Sequence, residues 1–218
     1  MLMSARFISQ MWLFCALWSV SGIASAVVTV LPSTHALSLV IKEVAGETYV
    51  PLLPANVSPH DFSLKPSHIR RLQKAELVVW LGPELEPYLA KVMLHIPKHK
   101  QFIINQGRSA LKYGEHPWTS PEYLLQGLQQ LSQHLNKPWS SKTWVQQINN
   151  LHEELFFHRR ALQEKNQGYM VYHDGIGGFE AYFGLTHLAS FTNADDQPPG
   201  AKQLAMIEQL ANEQKVAC

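Results

Sequence analysis

Three histidines stand where their side chains could meet over one ion. His60 follows the apolar run Tyr49–Leu53 through the turn-rich Pro54-Ala55-Asn56-Val57-Ser58-Pro59, His116 follows Gln101–Ile104 through a polar loop, and His173 comes directly after Tyr169–Tyr172. If those runs are strands of parallel sheets, all three imidazoles fall beyond the carboxyl ends of strands, where open sheets gather their ligands. Neutral imidazole is a good donor to Zn²⁺, and three of them leave a fourth position for water or a carboxylate. Taken one at a time, each is better explained as a hydrogen-bonded loop or surface residue than as a ligand. The chain carries 11 His, about twice an ordinary usage of roughly 2%, and histidine is therefore where chemistry is sought.

Other constellations have plainer explanations. His152-Glu153-Glu154-Leu155-Phe156 begins like a metalloprotease helix, but the second histidine would have to stand at 156, which is Phe, and His158 is off that spacing. His152 and His158 read as solvated helix residues. Gly175-Ile176-Gly177-Gly178 resembles a dinucleotide-binding loop until its last glycine is required at 180, which is Glu180. It reads instead as a tight strand-to-helix turn. His35 follows the first strand with no ligand motif around it, so it is expected on the surface or behind a ligand.

The elements that must position these residues alternate between short apolar segments and stretches of helical period, which is an α/β pattern with mostly parallel sheets. Candidate strands are Val27–Leu31, Tyr49–Leu53, Leu77–Leu81, Gln101–Ile104, Tyr169–Tyr172 and Leu188–Phe191. Ser120 can cap a helix beginning at Pro121, whose Leu124, Leu128, Leu131 and Leu135 share one face, and Asn136-Lys137-Pro138 ends it. From Ser141 to about Lys165 there is no Gly or Pro, and Trp144, Ile148, Leu151, Leu155 and Leu162 recur at helical spacing. A helix of that length reaches across a domain and can join two lobes, with a cleft between them. The expected division is a signal segment over 1–26, an N-terminal α/β lobe over 27–138, a linking helix over 139–166 and a partial C-terminal α/β lobe over 167–218. After a helix over Ala201–Asn212, Lys215-Val216-Ala217-Cys218 begins what reads as another strand, which leaves the second lobe incomplete.

Composition narrows the function classes. Lys+Arg at 18 against Asp+Glu at 17 gives a net charge of +1, too weak a field to hold phosphate backbones, so no nucleic acid partner is expected. The first residues read as a cleaved export signal, with Arg6 before the apolar Met11–Val20 and the small residues Ala24-Ser25-Ala26 at the cleavage site. The apolar run, interrupted by Ser19, Ser21 and Gly22, is too short to be an anchor. Cys15 would leave with the signal, so Cys218 would be a lone thiol in an oxidising compartment and points to a partner absent from this sequence.

The flanks of the three histidines carry a resemblance. Ser58-Pro59-His60-Asp61-Phe62-Ser63-Leu64-Lys65-Pro66-Ser67, Leu77-Val78-Val79-Trp80-Leu81-Gly82-Pro83-Glu84-Leu85-Glu86, His116-Pro117-Trp118-Thr119-Ser120-Pro121-Glu122, Tyr172-His173-Asp174-Gly175-Ile176-Gly177-Gly178-Phe179-Glu180 and Pro199-Gly200-Ala201-Lys202 stand in the order and spacing of one family. The chain resembles the zinc-binding solute-binding proteins of bacterial ABC transporters, the ZnuA type. The resemblance implies two α/β lobes joined by a rigid helix, with the metal held between them by His60 and His116 from the first lobe and His173 from the second. It also implies periplasmic residence, Zn²⁺ as cargo, an ABC transporter permease in the inner membrane as partner, a monomeric state and no enzymatic activity.

Histidine at 173, where manganese and iron members carry a carboxylate, favours zinc, and an all-imidazole donor set agrees. Two departures stand out. The loop Asn105–Glu115 is short and holds no histidine, and Pro59 stands where some relatives carry a glutamate ligand, which leaves water as the expected fourth donor. Family members continue well beyond the position of Cys218 and supply a second cysteine, so a C-terminally truncated chain is expected. The competing readings are a manganese- or iron-binding homologue, a truncated product without function, and a zinc-dependent hydrolase drawing on Asp61 or Asp174.

Overall fold

The computed structural model describes residues 29–57, 59, 62–106, 116–192 and 198–218. His60 and Asp61 lie outside the described residues, as do the signal segment and Val27.

Two parallel sheets lie on either side of one long helix in the chain. The first has the order β1-β2-β3, built from β1 (Val30–Pro32), β2 (Leu77–Trp80) and β3 (Gln101–Ile103), with Val30 opposite Leu77 and Val78 opposite Gln101. Strand β2 is buried on both faces because successive side chains point opposite ways. Leu77 and Val79 join Leu37, Ile41, Ile104, Tyr123, Leu128 and Leu131 under α1 (His35–Ala45) and α4 (Pro121–His134), whereas Val78 and Trp80 join Leu52, Leu72, Leu89 and Met93 under α2 (Pro66–Lys74) and α3 (Pro87–Met93). Three of these helices open on proline at their first turn, where the missing N–H costs nothing. Ser120 caps α4 as its sequence predicts, accepting from the Tyr123 N–H.

Five of the six expected strands form, each within a few residues of its predicted bounds. The sixth, Tyr49–Leu53, does not. Leu52 and Leu53 do donate to the carbonyls of Pro32 and Ser33 at the end of β1, but the carbonyls of Val50, Pro51 and Leu52 turn to the Arg71 guanidinium instead of to a neighbouring strand. A charged donor captures the acceptors that a ladder would have used.

The long helix α5 (Lys142–Glu164) covers 23 residues and none of them is fully buried. At about 1.5 Å per residue it spans roughly 35 Å. Trp144 near its start packs against the first core, while Arg159 near its end donates to the carbonyls of Phe183 and Gly184. The second sheet pairs β4 (Met170–His173) with β5 (Ala189–Thr192), placing His173 opposite Thr192, and α6 (Gly177–Phe183) and α7 (Ala201–Asn212) complete it. The segment Lys215 to Cys218 runs along the start of β4, with Ala217 donating to the Gly168 carbonyl and Met170 donating to that of Cys218. The expectation of a strand beginning there matches this pairing.

Candidate metal centre

His116 stands at the start of a 3₁₀ turn, Pro117–Thr119, that feeds directly into α4. Its carbonyl accepts from both the backbone N–H of Thr119 (3.0 Å) and the Thr119 hydroxyl (2.8 Å), so the backbone beneath the ring is held twice. The ring meets Trp118 edge to face at 5.1 Å between centroids. From the second sheet, His173 is the last residue of β4, and its carbonyl accepts from the Gly175 N–H at 2.8 Å in a tight reversal.

These two imidazoles converge, with 57 residues between them in the chain. Their Nε2 atoms lie 3.3 Å apart, a hydrogen-bonding distance at which either ring donates according to its tautomer, and the rings are perpendicular, with centroids 4.9 Å apart. Two nitrogens bound to one tetrahedral Zn²⁺ at about 2.0–2.1 Å are separated by about 3.3–3.4 Å, the edge of that tetrahedron. The spacing and the donor chemistry therefore fit zinc. Both rings are half-buried.

Gly175 explains how the chain closes so tightly on the pair. A Cβ there would stand 2.8 Å from His173 Cδ2, 3.3 Å from His173 Nε2 and 3.5 Å from His116 Nδ1. The glycine backbone itself forms part of the wall of the site. On the far side of His173, the Thr192 hydroxyl lies 3.4 Å from Nδ1 and donates to the Tyr172 carbonyl at 3.1 Å.

A polar cluster beneath the second half of the site escaped the sequence reading. Glu180, only 6% exposed, takes up the Tyr169 hydroxyl (2.5 Å), the His187 backbone N–H (3.0 Å) and His187 Nδ1 (2.9 Å) with one carboxylate oxygen. It thereby ties the residue preceding β4, helix α6 and the loop before β5 into one unit. Burial, then the hydrogen bond and the charge of Glu180, push the Tyr169 phenol well above its usual range. The only sequence signal was the acid closing the Phe179-Glu180 motif.

Among the described residues no trio of His, Cys, Asp or Glu is grouped to hold a metal, so His116 and His173 are the converging pair. The predicted third partner, His60, lies outside the described residues, although Pro59, its neighbour, lines a hollow of about 270 Å³ together with Thr34, His35 and Trp118. His35 is exposed, as are His152, His158 and Asp174. Gly175–Gly178 does form the strand-to-helix turn between β4 and α6.

The fold and the histidine pair define a class: an α/β protein with two parallel sheets separated in the chain by a long helix, in which one imidazole from each half meets the other. Residues 30–218 match the family described as zinc-uptake complex component A, periplasmic. The chain is 30% identical to the high-affinity zinc uptake system protein ZnuA of Haemophilus ducreyi, over 93% of this chain and 79% of that protein. It is 29% identical to the protein of the same name from Yersinia pestis, over 89% of this chain and 74% of that one. In fold it is similar to the AdcAII protein of Streptococcus pneumoniae, with a TM-score of 0.67 at 17% identity, over 86% of this chain and 77% of the other. The chain belongs to the zinc-uptake complex component A family, the zinc-binding components of periplasmic uptake systems.

Proposed function

We propose that this chain captures Zn²⁺ in the periplasm through the Nε2 atoms of His116 and His173, with His60 as third ligand and water as fourth, and delivers it to the permease of an ABC importer. The 3.3 Å separation between the two Nε2 atoms carries the reading, because it is the ligand-to-ligand spacing of tetrahedral zinc. Residues 27–138 and 167–218 act as the two lobes and 139–166 as the helix between them, so one ligand pair spans the lobe boundary and the ion itself links the two halves. The protein works as a monomer after removal of an export signal ending at Ala26.

No reaction is part of this function. The cargo is bound and released unchanged, and Asp174 beside His173 is exposed. Titration of the purified chain with Zn²⁺ at neutral pH, in competition with a chromogenic chelator, is expected to saturate at one equivalent, and Mn²⁺ in excess is expected not to displace it. His116→Ala and His173→Ala should each lower the affinity by orders of magnitude. Absence of saturable binding, or unchanged affinity in either variant, would refute the assignment.

A further inference from the structure

Resting on the reading of His173 as a zinc ligand, we propose that Thr192 is a positioning residue that keeps the ring proton of His173 on Nδ1, so that Nε2 is the bare nitrogen that faces His116 and takes the ion. The parallel register of β4 and β5 sets Thr192 opposite His173, and residues paired in this way project from the same face of the sheet. Thr192 is 6% exposed, so its hydroxyl is sealed from solvent. A hydroxyl has one hydrogen to give and two lone pairs to offer. Its neighbours are the Tyr172 carbonyl at 3.1 Å and His173 Nδ1 at 3.4 Å.

A carbonyl can only accept, so the single hydrogen of Thr192 goes to the Tyr172 oxygen and a lone pair is left facing Nδ1. An imidazole nitrogen facing a lone pair is satisfied only when it carries the proton. Neutral imidazole holds one proton, so placing it on Nδ1 leaves the lone pair on Nε2, the nitrogen that faces His116. The other tautomer would require Thr192 to turn its hydrogen to Nδ1 and give up the Tyr172 carbonyl. The relay Nδ1–H to Oγ1–H to carbonyl thus ends on the backbone of the residue before His173. It fixes both the proton and the orientation of the ring. Partners behind metal-binding histidines change affinity by roughly 10–100-fold when removed.

Two variants and one spectrum test this. Thr192→Val keeps the branched shape and loses the hydroxyl, whereas Thr192→Ser keeps the hydroxyl. Zinc affinity by chelator competition is expected to fall about tenfold or more in Thr192→Val and to stay within about twofold of wild type in Thr192→Ser. In the zinc-free wild-type chain, two-bond ¹H–¹⁵N correlation spectra of the neutral imidazole should show His173 protonated on Nδ1. The same proton should shift toward Nε2 in Thr192→Val. A wild-type ring protonated on Nε2 overturns the proposal, whatever the variants do. So does an unchanged affinity in Thr192→Val when His173→Ala abolishes binding. If His173→Ala itself binds zinc like wild type, the ligand reading has failed, and Thr192 loses its role with it.

Discussion

Gly175→Ala separates the geometry of the site from the stability of the fold. The added Cβ would lie 2.8 Å from His173 Cδ2, a distance that ordinary carbon contacts do not reach. Restoring a tolerable contact moves the ring by roughly half an ångström, whereas metal sites hold their ligand distances to within about 0.2 Å. The same Cβ stands 3.3 Å from His173 Nε2, the nitrogen meant for the ion. Zinc affinity should therefore fall at least tenfold, about 1.4 kcal/mol. The backbone offers no objection, since Gly175 is not among the positive-φ glycines of the described residues, Gly46, Gly82 and Gly184. A glycine replaced where alanine is tolerated loses unfolded-state entropy and gains about 0.4–1 kcal/mol. Thermal unfolding without zinc should thus be unchanged or slightly later, while chelator competition shows weaker binding. Affinity within twofold of wild type would refute the reasoning. A loss of affinity accompanied by a collapse in zinc-free Tm would show that Gly175 supports the fold and not the site.

Three further perturbations probe the scaffold. Gly127→Ala on α4 would set a Cβ 2.6 Å from Cγ2 of the fully buried Ile104, and overpacking of this kind costs about 1–3 kcal/mol against a helix-propensity gain of about 1; a raised urea midpoint would contradict it. Arg71→Ala should destabilise by about 1–3 kcal/mol, by releasing the carbonyls of residues 50–52, and should expose that segment first in hydrogen exchange; uniform protection there would count against the explanation given for its irregular path. Glu86 is fully buried, accepting from the Leu81 N–H at 2.6 Å and the Tyr88 hydroxyl at 2.8 Å, and burial raises its pKa above the ordinary value despite these bonds. The folded state then holds the proton more tightly than the unfolded one, so wild-type stability falls as pH rises from about 4.3 through the raised pKa, by at most about 1.4 kcal/mol per pH unit. Glu86→Gln cannot ionise, so its stability relative to wild type should improve over that window; a difference independent of pH would refute the cause assigned.

Sequence alone determined the residue types and the elements that carry them. The proline-opened α4 with its Ser120 cap, the long α5 without Gly or Pro, and the strands β2 to β5 follow from short-range chemistry that neighbouring residues express themselves. So do the positions of His116 and His173, one at a loop-to-helix entry and one at a strand end. The segment 49–53 was misread because its apolar content favours a strand, while its carbonyls are taken by Arg71, 19 to 21 residues further along. Local propensity has no view of a partner at that distance. The same limit hid Glu180 with Tyr169 and His187, and the hydroxyl of Thr192 behind His173. What the tertiary structure decided is the 3.3 Å between two nitrogens 57 residues apart in the chain. That distance is set by β4 and α6 meeting the entry to α4, with a glycine at 175 thin enough to let both rings approach, and no spacing along the chain encodes it.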